Sequence, residues 1–251
     1  MDVKAFLDEK VIQYNQPFFI ESDPIQIPHA FQQKEDIEIA GFLAATIAWG
    51  KRTSIISSAK KLMELMGNSP YDFVMLANEM QLERISDFKY RTFQPIDLHY
   101  FITSLKNIYT HHGGLETVFT KGFNAADSKS AITHFHNTFF HLDHPQRTQK
   151  HVSNPAKGAA AKRINMYLRW MVRQDNKGVD FGLWKKIAPA KLSCPLDVHS
   201  GRVARKLGLL NRKQDDWKAV NELDTSLKAL DSKDPSKYDF ALFGLGIFEG
   251  F

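Results

Sequence analysis

Asp197 stands where a proline-containing stretch, Cys194-Pro195-Leu196, gives way to a helical pattern starting at Val198. An aspartate there can cap the new helix by accepting from its first free backbone N–H groups, a role worth about 1 kcal/mol. Held beside a basic surface, the same carboxylate could instead stabilise positive charge developing on a substrate. Basic residues are supplied upstream: between Asp143 and Asp175 no acidic residue occurs, whereas Arg147, Lys150, Lys157, Lys162, Arg163, Arg169 and Arg173 all do. On a helix over 162–173, Ile164, Tyr167, Leu168, Met171 and Val172 share one side, and Lys162, Arg169 and Arg173 share the other. The expectation is one packing face and one cationic stripe suited to phosphates, binding in a salt-sensitive way; the plainer alternative is a solvated helix face. The small residues of Gly158-Ala159-Ala160-Ala161 lead into this helix and leave backbone N–H groups open to an anion, although alanine-rich helix starts without a ligand are commoner.

Other candidate chemistry is thinner. His134, His136, His141, His144 and His151 crowd one region and could in principle hold a metal, but no H-E-x-x-H helix with a third ligand accompanies them. No metal is expected, and a metal-dependent hydrolase ranks last among the readings. Ser200-Gly201 is not a nucleophile elbow, because no strand precedes it. A single cysteine, Cys194, excludes an internal disulfide and any four-cysteine zinc or iron–sulfur site. It suits a reducing compartment.

The elements that must position these groups are helical. Apolar residues recur at helical spacing, and alternating apolar and polar runs are scarce. Asp36 is expected to cap a helix reaching about Trp49, ended by Gly50, with Ile37, Ala40, Leu43, Ala44 and Ile47 facing inward. A second helix is expected over 53–66, stopped at Gly67-Asn68-Ser69-Pro70. A third follows Pro95 and closes at His111-His112-Gly113-Gly114. Further helices are expected over 130–140, 162–173, 198–207, 215–230 and 238–248, the last announced by Asp234-Pro235. With 43% apolar and 12% aromatic residues the chain can bury a substantial core. Its net charge of +5 is too mild to identify a polyanion partner by itself. No secretory signal is expected from Met1-Asp2-Val3-Lys4, and the longest apolar run, Ile39 to Trp49, falls short of the roughly 20 residues that span a bilayer. A cytoplasmic location follows.

The run Pro195-Leu196-Asp197-Val198-His199, followed by Arg202-Val203 and Leu207-Gly208-Leu209, resembles the aspartate segment of the helix-hairpin-helix DNA glycosylases. In that superfamily the aspartate is catalytic, and its partner is a hairpin whose lysine is the nucleophile of the bifunctional members. Gly158-Ala159-Ala160-Ala161-Lys162 matches the hairpin's first glycine and its lysine; Ala160 replaces the second glycine, and Ala156-Lys157 replaces the usual Leu-Pro. The interval from 162 to 197 is longer than in most of the superfamily, and in this the chain is similar to the archaeal 8-oxoguanine DNA glycosylases. Over nearly its whole length it also resembles a bacterial family without an established activity, through Arg163, Asn165, the run Leu168 to Arg173, and Tyr238-Asp239-Phe240-Ala241.

The resemblance implies an all-α fold of two helical lobes, 1–145 and 146–251, joined by a soft seam near Asp143 to Asn154, with a cleft between them. It implies a base-excision DNA glycosylase with AP lyase activity on a damaged, oxidised purine such as 8-oxoguanine. Lys162 and Asp197 would be catalytic, without a cofactor. Lys157, Gly158, Arg163, Arg169, Arg173, His199 and Arg202 would bind double-stranded DNA, and Trp49, Trp170, Phe240 and Phe243 would supply aromatic faces for the extruded base. A monomer in the cytoplasm, associated with the nucleoid, is expected. The alternative is a nucleic-acid-binding protein on the same fold without catalysis. A catalytic pair requires the Lys162 amine and the Asp197 carboxylate to face one cleft within about 10 Å, with room for a sugar.

Overall fold

Short polar residues and prolines set where the helices begin. In the computed structural model, which describes residues 2–125 and 127–251, the N-terminal part forms α1 (Val3–Tyr14), α2 (Phe18–Ser22), α3 (Lys34–Thr46), α4 (Arg52–Leu65), α5 (Pro70–Leu76), α6 (Glu79–Arg84), α7 (Pro95–His111), α8 (Gly114–Ala125) and α9 (Ser128–Phe139). Then follow α10 (Lys162–Val172), α11 (Val198–Lys206), α12 (Trp217–Leu230) and α13 (Tyr238–Phe248). Asp2, Asp127, Asp197 and Asp216 cap α1, α9, α11 and α12 through their side chains. Pro70 and Pro95 sit in the first turns of α5 and α7, where the N–H they lack has no helical partner anyway. No strand occurs among the described residues, so the fold is all-α. Among the described residues no helix is long and apolar enough to cross a membrane.

Helix α3 is the central element, buried from Ile37 through Thr46. Phe42 meets Phe101 of α7, Phe135 and Phe139 of α9, and Tyr167 of α10 at ring separations of 5.4–5.8 Å. Each such ring, fully removed from water, contributes roughly 1.5–3 kcal/mol. Gly41 lets α10 approach, since a Cβ there would lie 3.1 Å from Met171 Cε and 3.3 Å from Tyr167 Cε2. At the other end of the sequence α1 lies against α13, so contacts cross the seam expected near Asp143 to Asn154. That approach depends on Gly244, where a Cβ would stand 2.2 Å from Tyr14 Cδ2.

Two expected details are corrected. Asp36 does not start α3, which begins at Lys34 after Gln33; Asp36 Oδ1 accepts the Tyr71 N–H of α5 at 2.8 Å instead. Nor does α3 reach Trp49: it ends at Thr46, and Trp49 lies in the turn before Gly50. The histidines do not converge on a metal. His134 and His141 are exposed, His144 bonds the Leu142 carbonyl and Gln149, and His151 bonds Asp97. Among the described residues no group of three His, Cys, Asp or Glu side chains is arranged to hold an ion.

Asp97 pins the loop that leads to α10. Fully buried, it accepts from the Gln94 N–H, Thr148 Oγ1, Arg147 Nη1 and His151 Nε2. Burial pushes His151 down to about 4, against the pull of Asp97. A histidine whose folded value lies below its unfolded value of about 6.5 favours folding fully above that pH, and the contribution fades as pH falls through 6.5 towards 4. Wild type is therefore expected to lose about 2–3 kcal/mol more stability than His151→Gln between pH 7 and pH 4.5. Parallel urea titrations of the two proteins at both pH values would reveal it; identical losses would show that His151 is not held neutral.

Candidate active site

The beginnings of α10 and α11 face each other. Asp197 caps α11: its Oδ1 accepts from the His199 N–H at 2.9 Å and the Ser200 N–H at 3.0 Å, while Ser200 Oγ accepts the Asp197 N–H at 2.9 Å. That leaves Oδ2 free to point elsewhere, and it lies 3.4 Å from Lys162 Nζ. Lys162 is the first residue of α10, set after Ala161, whose backbone is left-handed at φ 50°. The preceding turn is fixed from two sides. Asn165 Nδ2 donates to the Ala160 carbonyl at 3.1 Å, and the Trp217 N–H of α12 donates to the Gly158 carbonyl at 2.9 Å. Gly158 takes φ 89°, a left-handed conformation that strains other residues.

Burial raises the Asp197 carboxyl, but the Lys162 ammonium and the two capping N–H groups outweigh it and hold it below the usual carboxylate range. Both side chains stay in reach of solvent, at 28% and 25% exposure. In direct contact they leave no room for a sugar, so a substrate can enter only by parting them.

The two groups share a cavity of about 490 Å³. One wall carries Trp49 with the Arg163 guanidinium over its ring at 4.9 Å, and another carries Phe243 with Arg52 over its ring at 4.9 Å. Arg163 also donates to the Thr46 carbonyl, and burial lowers it to about 10. The floor is acidic and deeply set: Asp23 and Asp239 are each 6% exposed. Arg169 also lines the cavity and bonds Asp239 through Nη1.

The cationic stripe is overturned. Arg169 and Arg173 are 2% and 3% exposed and do not face solvent. The loop after α10 folds back over it, the Phe181 and Trp184 N–H groups donating to the Trp170 and Met171 carbonyls. This brings Asp180 against both arginines, while Asp239 meets Arg169, and Asp175 and Asp234 meet Arg173. These carboxylates neutralise the charge that the acid-free stretch suggested would be free. Trp170 and Phe240 are also corrected. Both are fully buried and absent from the cavity lining, Trp170 in the core and Phe240 beneath Arg169 at 4.2 Å. Trp49 and Phe243 do line the cavity, as do Arg163 and His199. Lys157, Gly158 and Arg202 are exposed outside the cavity lining, Arg202 donating to the Gly246 carbonyl at 3.2 Å.

Sequence reading missed Asp23, Asp239 and Arg52 as cavity residues. Asp23-Pro24 is itself a helix-start signal that could have drawn attention to the acid. Asp239 lies inside the Tyr238-Asp239-Phe240-Ala241 run, but nothing local says where its side chain points.

A family model described as a protein of unknown function, DUF2400, matches residues 23–248. The chain belongs to the DUF2400 family. The matched span takes in every residue of this DUF2400 cavity, from Phe243 and Ile247 of α13 back to Asp23, apart from Phe19. No curated protein and no solved structure matches the chain.

Proposed function

We propose that this protein is a base-excision DNA glycosylase with AP lyase activity, acting on a damaged purine of the oxidised type, and that its helices form the two-lobed architecture of the helix-hairpin-helix glycosylases. The observation that carries this reading is the meeting of Lys162 Nζ and Asp197 Oδ2 at 3.4 Å in a cavity of about 490 Å³. A lysine and a carboxylate held by separate helix starts, far apart in sequence, are the groups that lyase-type base excision needs.

Cleavage of the glycosidic bond leaves positive charge on the sugar, and a carboxylate kept ionised by its capping N–H groups lowers that barrier electrostatically. Asp197 has this role. Lys162 is the nucleophile: its neutral amine bonds to C1′ as the bond to the base breaks, the electron pair leaving with the base. At rest Lys162 is paired with Asp197; the entering sugar separates the two, and the ammonium proton passes to solvent before the amine attacks. Ring opening then gives a Schiff base, and β-elimination cuts the strand. The target nucleotide must leave the duplex first, at a cost of a few kcal/mol. Trp49 and Phe243 offer it aromatic faces. Arg52, Arg163 and the exposed Lys157 offer positive charge for the backbone, a smaller set than seven upstream cations suggested.

Borohydride in the presence of duplexes carrying an abasic site or 8-oxoguanine should give a covalent protein–DNA adduct, visible as a shifted band on a denaturing gel. Salt-sensitive binding without any adduct would select the non-catalytic nucleic-acid-binding reading instead.

A further inference from the structure

The mechanism above provides for the sugar and leaves the departing base without a proton donor. We propose that Asp23 is the general acid that protonates the departing base, an inference that rests on the glycosylase reading. As the C1′–N bond breaks, its electron pair stays on the base. The Asp23 carboxyl proton passes to a base nitrogen, leaving Asp23 as a carboxylate that regains a proton from solvent when the base departs.

The geometry points to a built acid and not to a cap alone. Asp23 precedes the short 3-10 turn Pro24–Gln26, and its Oδ1 accepts the Ile25 N–H at 3.0 Å. Its Oδ2 accepts no hydrogen bond from any described residue, and no described cation lies within ion-pair distance of it. The side chain is 94% buried yet lines the same cavity as Lys162 and Asp197. A carboxyl group on a buried residue, with one oxygen turned unpartnered to a cavity, is costly if charged and serviceable if protonated. Accordingly, burial raises the Asp23 carboxyl above the ordinary carboxylate value, against the pull of the Ile25 N–H and of Arg169, Arg52 and Lys162. The charged groups around it are Lys162, Arg163 and Arg169 from α10, Arg52 from α4, Asp197 and His199 at α11, and Asp239 from α13. The two acids thus divide the labour: Asp197, whose carboxyl Lys162 and its N–H donors hold low, serves the sugar, and Asp23, whose carboxyl burial raises, serves the base.

Asp23→Asn tests this, because the amide keeps the oxygen that accepts from Ile25 but has no acidic proton to give. Single-turnover excision of 8-oxoguanine should fall about 10²–10⁴-fold, the usual worth of a positioned general acid. In wild type, excision should decline as pH rises through the Asp23 value, and this limb should vanish in the variant. Borohydride trapping on DNA already lacking the base should fall by no more than about threefold, since no base departs there. Equal losses on both substrates, or no loss on either, would overturn the assignment. Wild type that forms no adduct even with abasic DNA would bring down the glycosylase reading itself, and this proposal with it.

Discussion

Lys162→Gln is expected to abolish the borohydride-trapped adduct on every substrate, while DNA affinity stays within about threefold of wild type. An amide nitrogen cannot form a Schiff base, whereas one cation fewer at the rim removes a single phosphate contact at most. Excision itself should fall by at least about 10²–10³-fold, because the covalent route is closed and only the electrostatic contribution of Asp197 remains. Asp197→Asn is the informative companion. Its amide oxygen can still accept from the His199 and Ser200 N–H groups, so stability should change by no more than about 1 kcal/mol. Its charge is gone, and single-turnover excision should fall by about 10²–10³-fold. An adduct surviving in Lys162→Gln would place the nucleophile on another amine and end the role given to the pair.

Replacing Arg169 by methionine should have the largest effect on the fold. The guanidinium sits between Asp180 at 3.2 Å and Asp239, with Phe240 beneath it at 4.2 Å. Burial works against its charge, but the two carboxylates outweigh that and raise it above the ordinary arginine value. Methionine fills much of the space but leaves the buried Asp239 without its cation and Asp180 with Arg173 alone, a change that costs about 3–5 kcal/mol. In a chain of this size that lowers Tm by roughly 10 °C or more. The loss should be pH-dependent. Burial already raises Asp239 to about 6, and without Arg169 its folded value rises further. A carboxyl whose folded value exceeds its unfolded value favours folding below the unfolded value and loses that contribution as pH rises through the folded one. The variant's deficit should therefore be smaller at pH 5 than at pH 7.5. Urea denaturation at both values would show it, and a deficit under about 1 kcal/mol at pH 7.5 would mean that the network is dispensable.

The Arg169 network also explains how charge was misread from sequence. Arg169 and Arg173 fall at helical spacing in a stretch without acids, and local reasoning sends them to solvent. Their partners lie 70 and 61 residues downstream, at Asp239 and Asp234, and in the returning loop at Asp180. No pattern within one helix contains that information. The same holds for Trp170, aromatic by type but walled into the core, and for Asp23, which reads as a capping residue until α4, α10 and α13 close around it. Asp197 was more legible, because its two readings do not exclude each other: one oxygen caps α11 while the other faces Lys162.

What the sequence by itself determined is eight of the helices, α3, α4, α7 and α9 to α13, and much of their limits, whereas α1, α2, α5, α6 and α8 emerge only in the structure. Capping aspartates, prolines at first turns, left-handed glycines and apolar spacing act within a turn or two of the chain, where chemical neighbours are also spatial ones. Only the tertiary structure decided which charges stay in water and which acids share the cavity with Lys162. The energy of a charge depends on everything within several ångströms of it, and packing draws those neighbours from distant parts of the chain.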